Sequence, residues 1–142
     1  MEFKFVYKIC SKSEWLVSKQ NKKFIGTKKD IEDGFIHFSD KSQIKDTLNK
    51  YFSKKDGLIL LKIETVNLDN LIWEQASNGN MFPHLYTPLN ISSVCNEYDI
   101  VLNKDGTHTL PSIYLLAFPN KLTIKTPAII KTRPIIAYRL GI

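Results

Sequence analysis

The nine residues from 58 to 66 read LILLKIETV and constrain the fold more than any other stretch. Branched apolar side chains run through it with little alternation at its start, the pattern of a central strand whose sheet is covered on both faces. The rest of the chain must therefore supply material for two sides of a sheet. Upstream, FKFVYKI sets Phe3, Phe5, Tyr7 and Ile9 on one side of a strand and Lys4, Val6 and Lys8 on the other, because side chains alternate with period two. SKSE follows with the capping-box spacing of Ser11 and Glu14, which predicts a helix through about residue 19 that buries Trp15 or Leu16. FIGT, with Gly26, closes that unit. In DKSQIKDTLNKYF the residues Ile44, Leu48, Tyr51 and Phe52 recur on one helical face, with Asp40 as N-cap. KKDG breaks that helix, NLDNLIWEQ is expected to be a short helix or turn, and Asp105-Gly106 within YDIVLNKDGTHTL marks a hairpin. Strand, helix, strand, helix, strand and then several strands is an α+β order.

A chain of 142 residues, 43% of them hydrophobic and 24% charged, suits one globular domain. Its first ten residues, MEFKFVYKIC, interleave lysine with apolar residues, unlike a signal peptide. The uncharged stretch THTLPSIYLLAFPN, with prolines near both ends, is too short and too polar to span a bilayer. The expectation is a cytoplasmic protein without a membrane segment. Two cysteines, Cys10 and Cys95, are too few for a disulfide framework and are read as buried thiols.

The net charge of +6 is unevenly spread. Residues 1 to 105 hold 15 Lys/Arg and all 14 Asp/Glu, whereas residues 106 to 142 carry Lys121, Lys125, Lys131, Arg133 and Arg139 and no acid. Residues 112 to 142 are expected to form a basic C-terminal extension packed on the domain of residues 1 to 111. Its segments LTIKT, AIIKT and IIAYRL favour extended structure and would be aggregation-prone if left free. A basic edge of this kind attracts polyanions, so nucleic acid is a candidate partner.

Two short apolar runs, GFIHFS and FPHLY, each carry one histidine. If both are strands, Phe35, His37 and Ser39 share one face while Ile36 and Phe38 share the other; in the second run Phe82, His84 and Tyr86 oppose Pro83 and Leu85. Each strand then has one apolar face and one mixed face of aromatic and polar groups, which resembles the lining of a ligand pocket. The alternative is a pair of core histidines whose ring nitrogens are satisfied by backbone. No His-x-His, His-Glu-x-x-His or Cys-x-x-Cys spacing supports a metal site, and no metal is expected. Gly-x-Ser-x-Gly and glycine-rich phosphate loops are absent too. His108, beside the hairpin turn, is expected to be an exposed strand residue.

Taken together, YKI, EW, DGFIHFS with Gln43 and Thr47 downstream, LIWE, FPHLY and the late DG and LP come in the order and spacing of a bacterial family. Over about residues 4 to 111 the chain resembles domain-of-unknown-function family 952. That resemblance implies a fold similar to the catalytic fold of ADP-ribosyltransferases: a split, mostly antiparallel sheet with flanking helices and a cleft that holds NAD. By the same similarity Lys8, after Tyr7, takes a first-strand place that is commonly His or Arg, and the strand of His37 and Ser39 lines the nicotinamide pocket. The lysine is a departure from the pattern, as is Thr87, where glycine usually follows HLY.

Cleaving the bond between ribose and nicotinamide develops positive charge on the sugar, so such a site needs an acceptor near the ribose hydroxyls and an aromatic wall for the nicotinamide. Tyr86 or Phe35 is the candidate wall, and Glu74 in IWEQ is the candidate acidic group. His37 and His84 are the first choices for proton transfer or for a hydrogen bond to phosphate. Tyr7, Lys8, Phe35, Ser39 and Tyr86 complete the expected ligand contacts. The implied ligand is NAD or another nucleotide-derived molecule, and the implied activity is transfer or removal of a group. A non-catalytic module that binds a small metabolite in the same cleft is the rival reading. A nucleic-acid-associated protein acting through the basic extension is a third.

Overall fold

A computed structural model describes residues 3–111. Met1–Thr109 form one compact unit, and a second begins at Leu110 and lies almost wholly outside the described residues. The expectations of a packed basic extension and of a nucleic-acid contact on it fall there as well.

The unit is α+β, and every strand pairing in it is antiparallel. β1 (Phe5–Ser11) pairs along its whole length with β4 (Leu58–Glu64), which pairs on its other edge with β8 (Val94–Leu102). The last partner in this sheet is the short β9 (His108–Thr109). β4 is thus the inner strand expected from LILLKIETV, with Leu58 to Leu61 all buried. A second sheet has the order β3 (Ile36–His37), β6 (Met81–Leu85), β5 (Leu71–Gln75). β2 (Lys23–Phe24) and β7 (Leu89–Asn90) form a separate two-stranded pair.

The two larger sheets meet at one point. Tyr7 N–H donates to the Ser39 carbonyl at 2.8 Å and Ser39 N–H donates to the Tyr7 carbonyl at 2.9 Å, and there the pairing stops. Beyond this bridge β1 has no ladder to β3, so the sheet is split.

Packing fills the face of β1 and β4 that carries Val6, Cys10, Ile59, Leu61 and Ile63, which cluster with Trp15, Phe24, Ile36, Phe38, Leu85 and Leu89. Trp15 arrives there on α1 (Lys12–Asn21), whose N-terminus has the expected capping box of Ser11 and Glu14. Tyr7, Ile9, Leu58 and Leu60 are buried as well and alternate with these residues, so they belong to the opposite face. α3 (Ile44–Tyr51) buries Ile44 and Leu48, while Tyr51 at its end stays exposed. Asp40 caps a short 3-10 turn that leads into it.

Three local expectations are corrected, and one helix was not expected. NLDNLIWEQ is a turn only as far as Asn70, which adopts φ 65°; from Leu71 the chain is strand β5, because pairing with β6 outweighs the local turn chemistry. A six-residue helix, α2 (Lys28–Asp33), has no hydrophobic periodicity to announce it, and its Ile31 is exposed. Cys10 is a buried thiol, with burial pushing its pKa up to about 12, but Cys95 is an exposed residue on β8. His108 is half-buried, held by a 2.7 Å contact between Nε2 and the Lys55 carbonyl.

Candidate functional site

The split opens into a cleft of about 880 Å³, lined on the β1 side by Tyr7 and Lys8 and across from them by His37, Ser39, Phe82 and His84. α2 and α3 form its flanks, and the Lys29 ammonium of α2 lies 5.7 Å from the ring centre of Tyr51 at the end of α3. His37 and His84 are directly paired residues of β3 and β6. Their rings meet edge to face, with centroids 5.3 Å apart. The alternation read from the two runs therefore holds for the histidines: Ile36, Pro83 and Leu85 are buried away from the cleft lining while both histidines line it, and Phe38 belongs to the core and also borders the cleft.

Where β1 lacks a strand neighbour, a side chain takes over. The Lys8 ammonium donates to the His37 carbonyl at 2.8 Å and lies 2.6 Å from Asp30 Oδ2. Lys8 is 6% exposed and Asp30 2%. Asp30 is also the third residue of α2's capping box: its Oδ2 accepts from the Thr27 N–H, and the Thr27 hydroxyl accepts from the Asp30 N–H. Its other oxygen, Oδ1, accepts from the His37 backbone N–H at 3.1 Å and lies 2.6 Å from His37 Nδ1.

Burial by itself would push the Asp30 carboxyl up, but bonds from His37, the adjacent Lys8 charge and the Thr27 N–H together hold it well below the usual carboxylate range. For Lys8 the balance runs the other way, burial pulling its pKa down against the attraction of Asp30. A residue larger than glycine does not fit over this carboxylate. Gly26 sits at φ +112°, and a Cβ there would come within 2.6 Å of Asp30 Cβ.

His37 Nε2 faces a second carboxylate, Asp33 Oδ2, at 3.1 Å, which is itself paired with Lys29 at 3.2 Å. His84 has a single carboxylate: Glu74 Oε1 lies 2.7 Å from its Nδ1. The same oxygen accepts from the Tyr86 hydroxyl at 2.5 Å. Bonds from Tyr86 and His84 lower the Glu74 pKa, and Glu74 raises that of Tyr86. His84 Nε2 has no hydrogen-bond partner among the described residues. Phe35 stacks on the His84 ring at 4.2 Å and touches His37 and Tyr86 at 4.6 and 5.2 Å.

Of the residues singled out from the sequence, Tyr7, Lys8, His37, Ser39 and His84 line the cleft. Glu74, Phe35 and Tyr86 do not. Glu74 and Phe35 contact the histidines outside the cleft lining, and Tyr86 reaches them through Glu74 and Phe35; Glu74 does so from a strand and not from the expected helix or turn, and Phe35 and Tyr86 border a separate hollow of about 140 Å³. The aromatic surface within the cleft comes instead from Tyr7, Phe38, Tyr51, Phe52 and Phe82. Ser39 is buried and shares a 3.1 Å hydroxyl contact with Thr47 of α3.

Asp30 is the residue that sequence reasoning missed. Its signal was TKKD, a Thr-x-x-Asp capping box as regular as the Ser11–Glu14 one. Among the described residues no group of three or more His, Cys, Asp or Glu could hold a metal ion, and no helix is long and apolar enough to cross a membrane.

Comparison with solved structures shows the fold to be shared. The crystal structure of protein CC0527 from Caulobacter crescentus is 39% identical, with a TM-score of 0.74, covering 78% of this chain and 98% of that one. The crystal structure of a double mutant of CC0527 gives 38% identity and the same TM-score and coverage. The solution NMR structure of CC0527 gives 40% identity and a TM-score of 0.66, covering 74% of this chain and 91% of that one. Comparison with curated proteins finds no match. Residues 9–97, which include both histidines and all their carboxylate partners, match the family model described as Protein of unknown function (DUF952), and the chain belongs to that family.

Proposed function

We propose that the chain is an ADP-ribosyltransferase-like domain that holds NAD or another nucleotide-derived ligand in the cleft between β1 and β3. The observation that carries this reading is the split itself: the sheet parts after the Tyr7–Ser39 bridge, and the opening is lined by Lys8, His37 and His84. A volume of about 880 Å³ is in the range of cofactor sites, and aromatic rings beside polar and charged groups offer both a stacking surface and groups for orientation. Lys28, Lys29, Lys50 and Lys55 also line the cleft and offer charge to a phosphate, alongside Glu14, Glu32, Asp46 and Asp56 of the same lining.

Calorimetric titration with NAD, ADP-ribose and AMP tests the reading. Saturable binding is expected, and it should weaken at least about tenfold in His37→Ala and His84→Ala, a loss in the range of one or more hydrogen bonds to a charged group. Absence of binding by all three ligands would remove the reading. One observation favours the non-catalytic alternative: the Glu74 carboxylate, expected beside a ribose, is engaged by His84 and Tyr86 outside the cleft lining. Binding without turnover of NAD would support that module.

A further inference from the structure

We propose that His84 and His37 are a general base and general acid that cleave a phosphodiester in a nucleotide, with a nucleoside cyclic phosphate as the simplest substrate. The inference rests on the reading that the cleft takes a nucleotide-derived ligand, and it names the bond that is broken.

The two imidazoles differ in what faces their nitrogens. His84 has Glu74 at Nδ1 and an unpartnered Nε2, the arrangement in which a carboxylate fixes the tautomer and leaves the far nitrogen's lone pair to accept a proton. His37 has Asp30 at Nδ1 and Asp33 at Nε2, carboxylate oxygens at 2.6 and 3.1 Å, so each ring nitrogen faces an acceptor to which an N–H can donate. Different partners at the ring nitrogens suit one imidazole to accept a proton and the other to donate one. Direct strand pairing and the Phe35 stack fix the rings relative to each other, with centroids 5.3 Å apart on the lining of one cleft.

The bond chemistry follows from that pair. Release of a neutral nicotinamide needs no proton donor, so it would leave an oriented acid without a task. A departing alkoxide needs one. Water attacks phosphorus, and its proton passes to His84 Nε2 as the new P–O bond forms. The P–O bond to the ribose oxygen breaks, and that oxygen takes the proton from His37 Nε2, replacing Asp33 as its partner. The product is a phosphomonoester with a free hydroxyl. Exchange with solvent then returns a proton to His37 and removes one from His84. The charged groups that face the pair are Asp30 and Asp33 of α2, Lys8 and Lys29 through those carboxylates, and Glu74 of β5 with Tyr86 behind it.

The test uses the full chain with adenosine 2′,3′-cyclic phosphate and follows the monophosphate by chromatography, with NAD and AMP titrations on the same preparation. Turnover with a bell-shaped pH dependence is expected. His84→Ala and His37→Ala should each lose at least about 100-fold, the usual contribution of one proton-transfer group. His84→Gln keeps a polar side chain of similar reach and should lose as much, and thermal melts of all variants confirm that folded protein is assayed. Glu74→Gln should lose less and shift the base-side limb of the profile. Nucleotide binding without monophosphate formation would overturn this proposal and leave the binding reading in place. Turnover that persists in folded His84→Ala and His84→Gln would overturn it too. Failure to bind AMP or NAD together with no turnover would remove both.

Discussion

The two histidines sit in matching positions on paired strands, yet their surroundings have little in common. On the Nδ1 side of His37 the partners are almost fully enclosed: Lys8 and Asp30 are 6% and 2% exposed and are tied to β1, β3 and α2 at once, while Asp33 at Nε2 is 35% exposed. Around His84 the partners are open to solvent: Glu74 is 40% exposed and Tyr86 44%. A buried carboxylate that loses its counter-charge is costly, whereas an exposed one is screened by water. The same imidazole–carboxylate pairing therefore holds the fold together on one side of the cleft, and on the other it can be changed with little structural consequence.

The sharpest way to break this contrast is Asp30→Ala. It leaves Lys8 buried without its carboxylate and removes an α2 cap, so it should cost about 3–5 kcal/mol in urea denaturation; a loss below about 1 kcal/mol would mean that the enclosed side is not structural. Adding Lys8→Met to Asp30→Ala should recover part of that loss, since the unpaired charge is removed with it. Next in size is Gly26→Ala, which places a methyl against Asp30 at a left-handed φ and should cost about 1–3 kcal/mol. Near-wild-type stability in that variant would show that the loop yields without disturbing the carboxylate.

A pH series separates the two sides without relying on packing. Asp30 is more acidic in the folded chain than its unfolded value of about 3.9, so the folded state binds fewer protons. Its contribution is complete above that value and is lost as pH falls below it toward the folded pKa. Stability of the wild type should drop as the pH goes from about 4 to about 2, and Asp30→Asn should flatten the slope. The smallest effect belongs to the open side. Glu74→Gln and Tyr86→Phe should leave the urea midpoint near that of the wild type while altering whatever His84 does; a clear destabilisation in either would erase the contrast.

The layered core was legible because β4 is apolar on both faces and because Ile44 and Leu48 keep helical spacing. The facing of His37 and His84 was legible because period-two alternation survives even though β3 is only two residues long. What escaped were features made by tertiary pairing. β5 is a strand because β6 is beside it, and Glu74 reaches His84 diagonally across that pair, so neither follows from the local IWEQ sequence. Phe35 and Tyr86 share faces with the histidines by alternation, yet they border the other hollow, since neither lies within its regular strand. α2 is too short to show periodicity, and its value to the site is one carboxylate.

The Asp30 carboxylate serves both the start of α2 and the cleft. A helix of six residues cannot hold itself together in water, where isolated helices are marginal below about 12–15 residues. α2 begins where it does because Asp30 folds back on Thr27, and the oxygens that end this fold-back are the ones that grip Lys8 and His37. Nucleation of the helix and alignment of the imidazole are therefore a single event. Amide exchange in the first turn of α2 should track the occupancy of His37, so the backbone itself reports what the side chain is bound to.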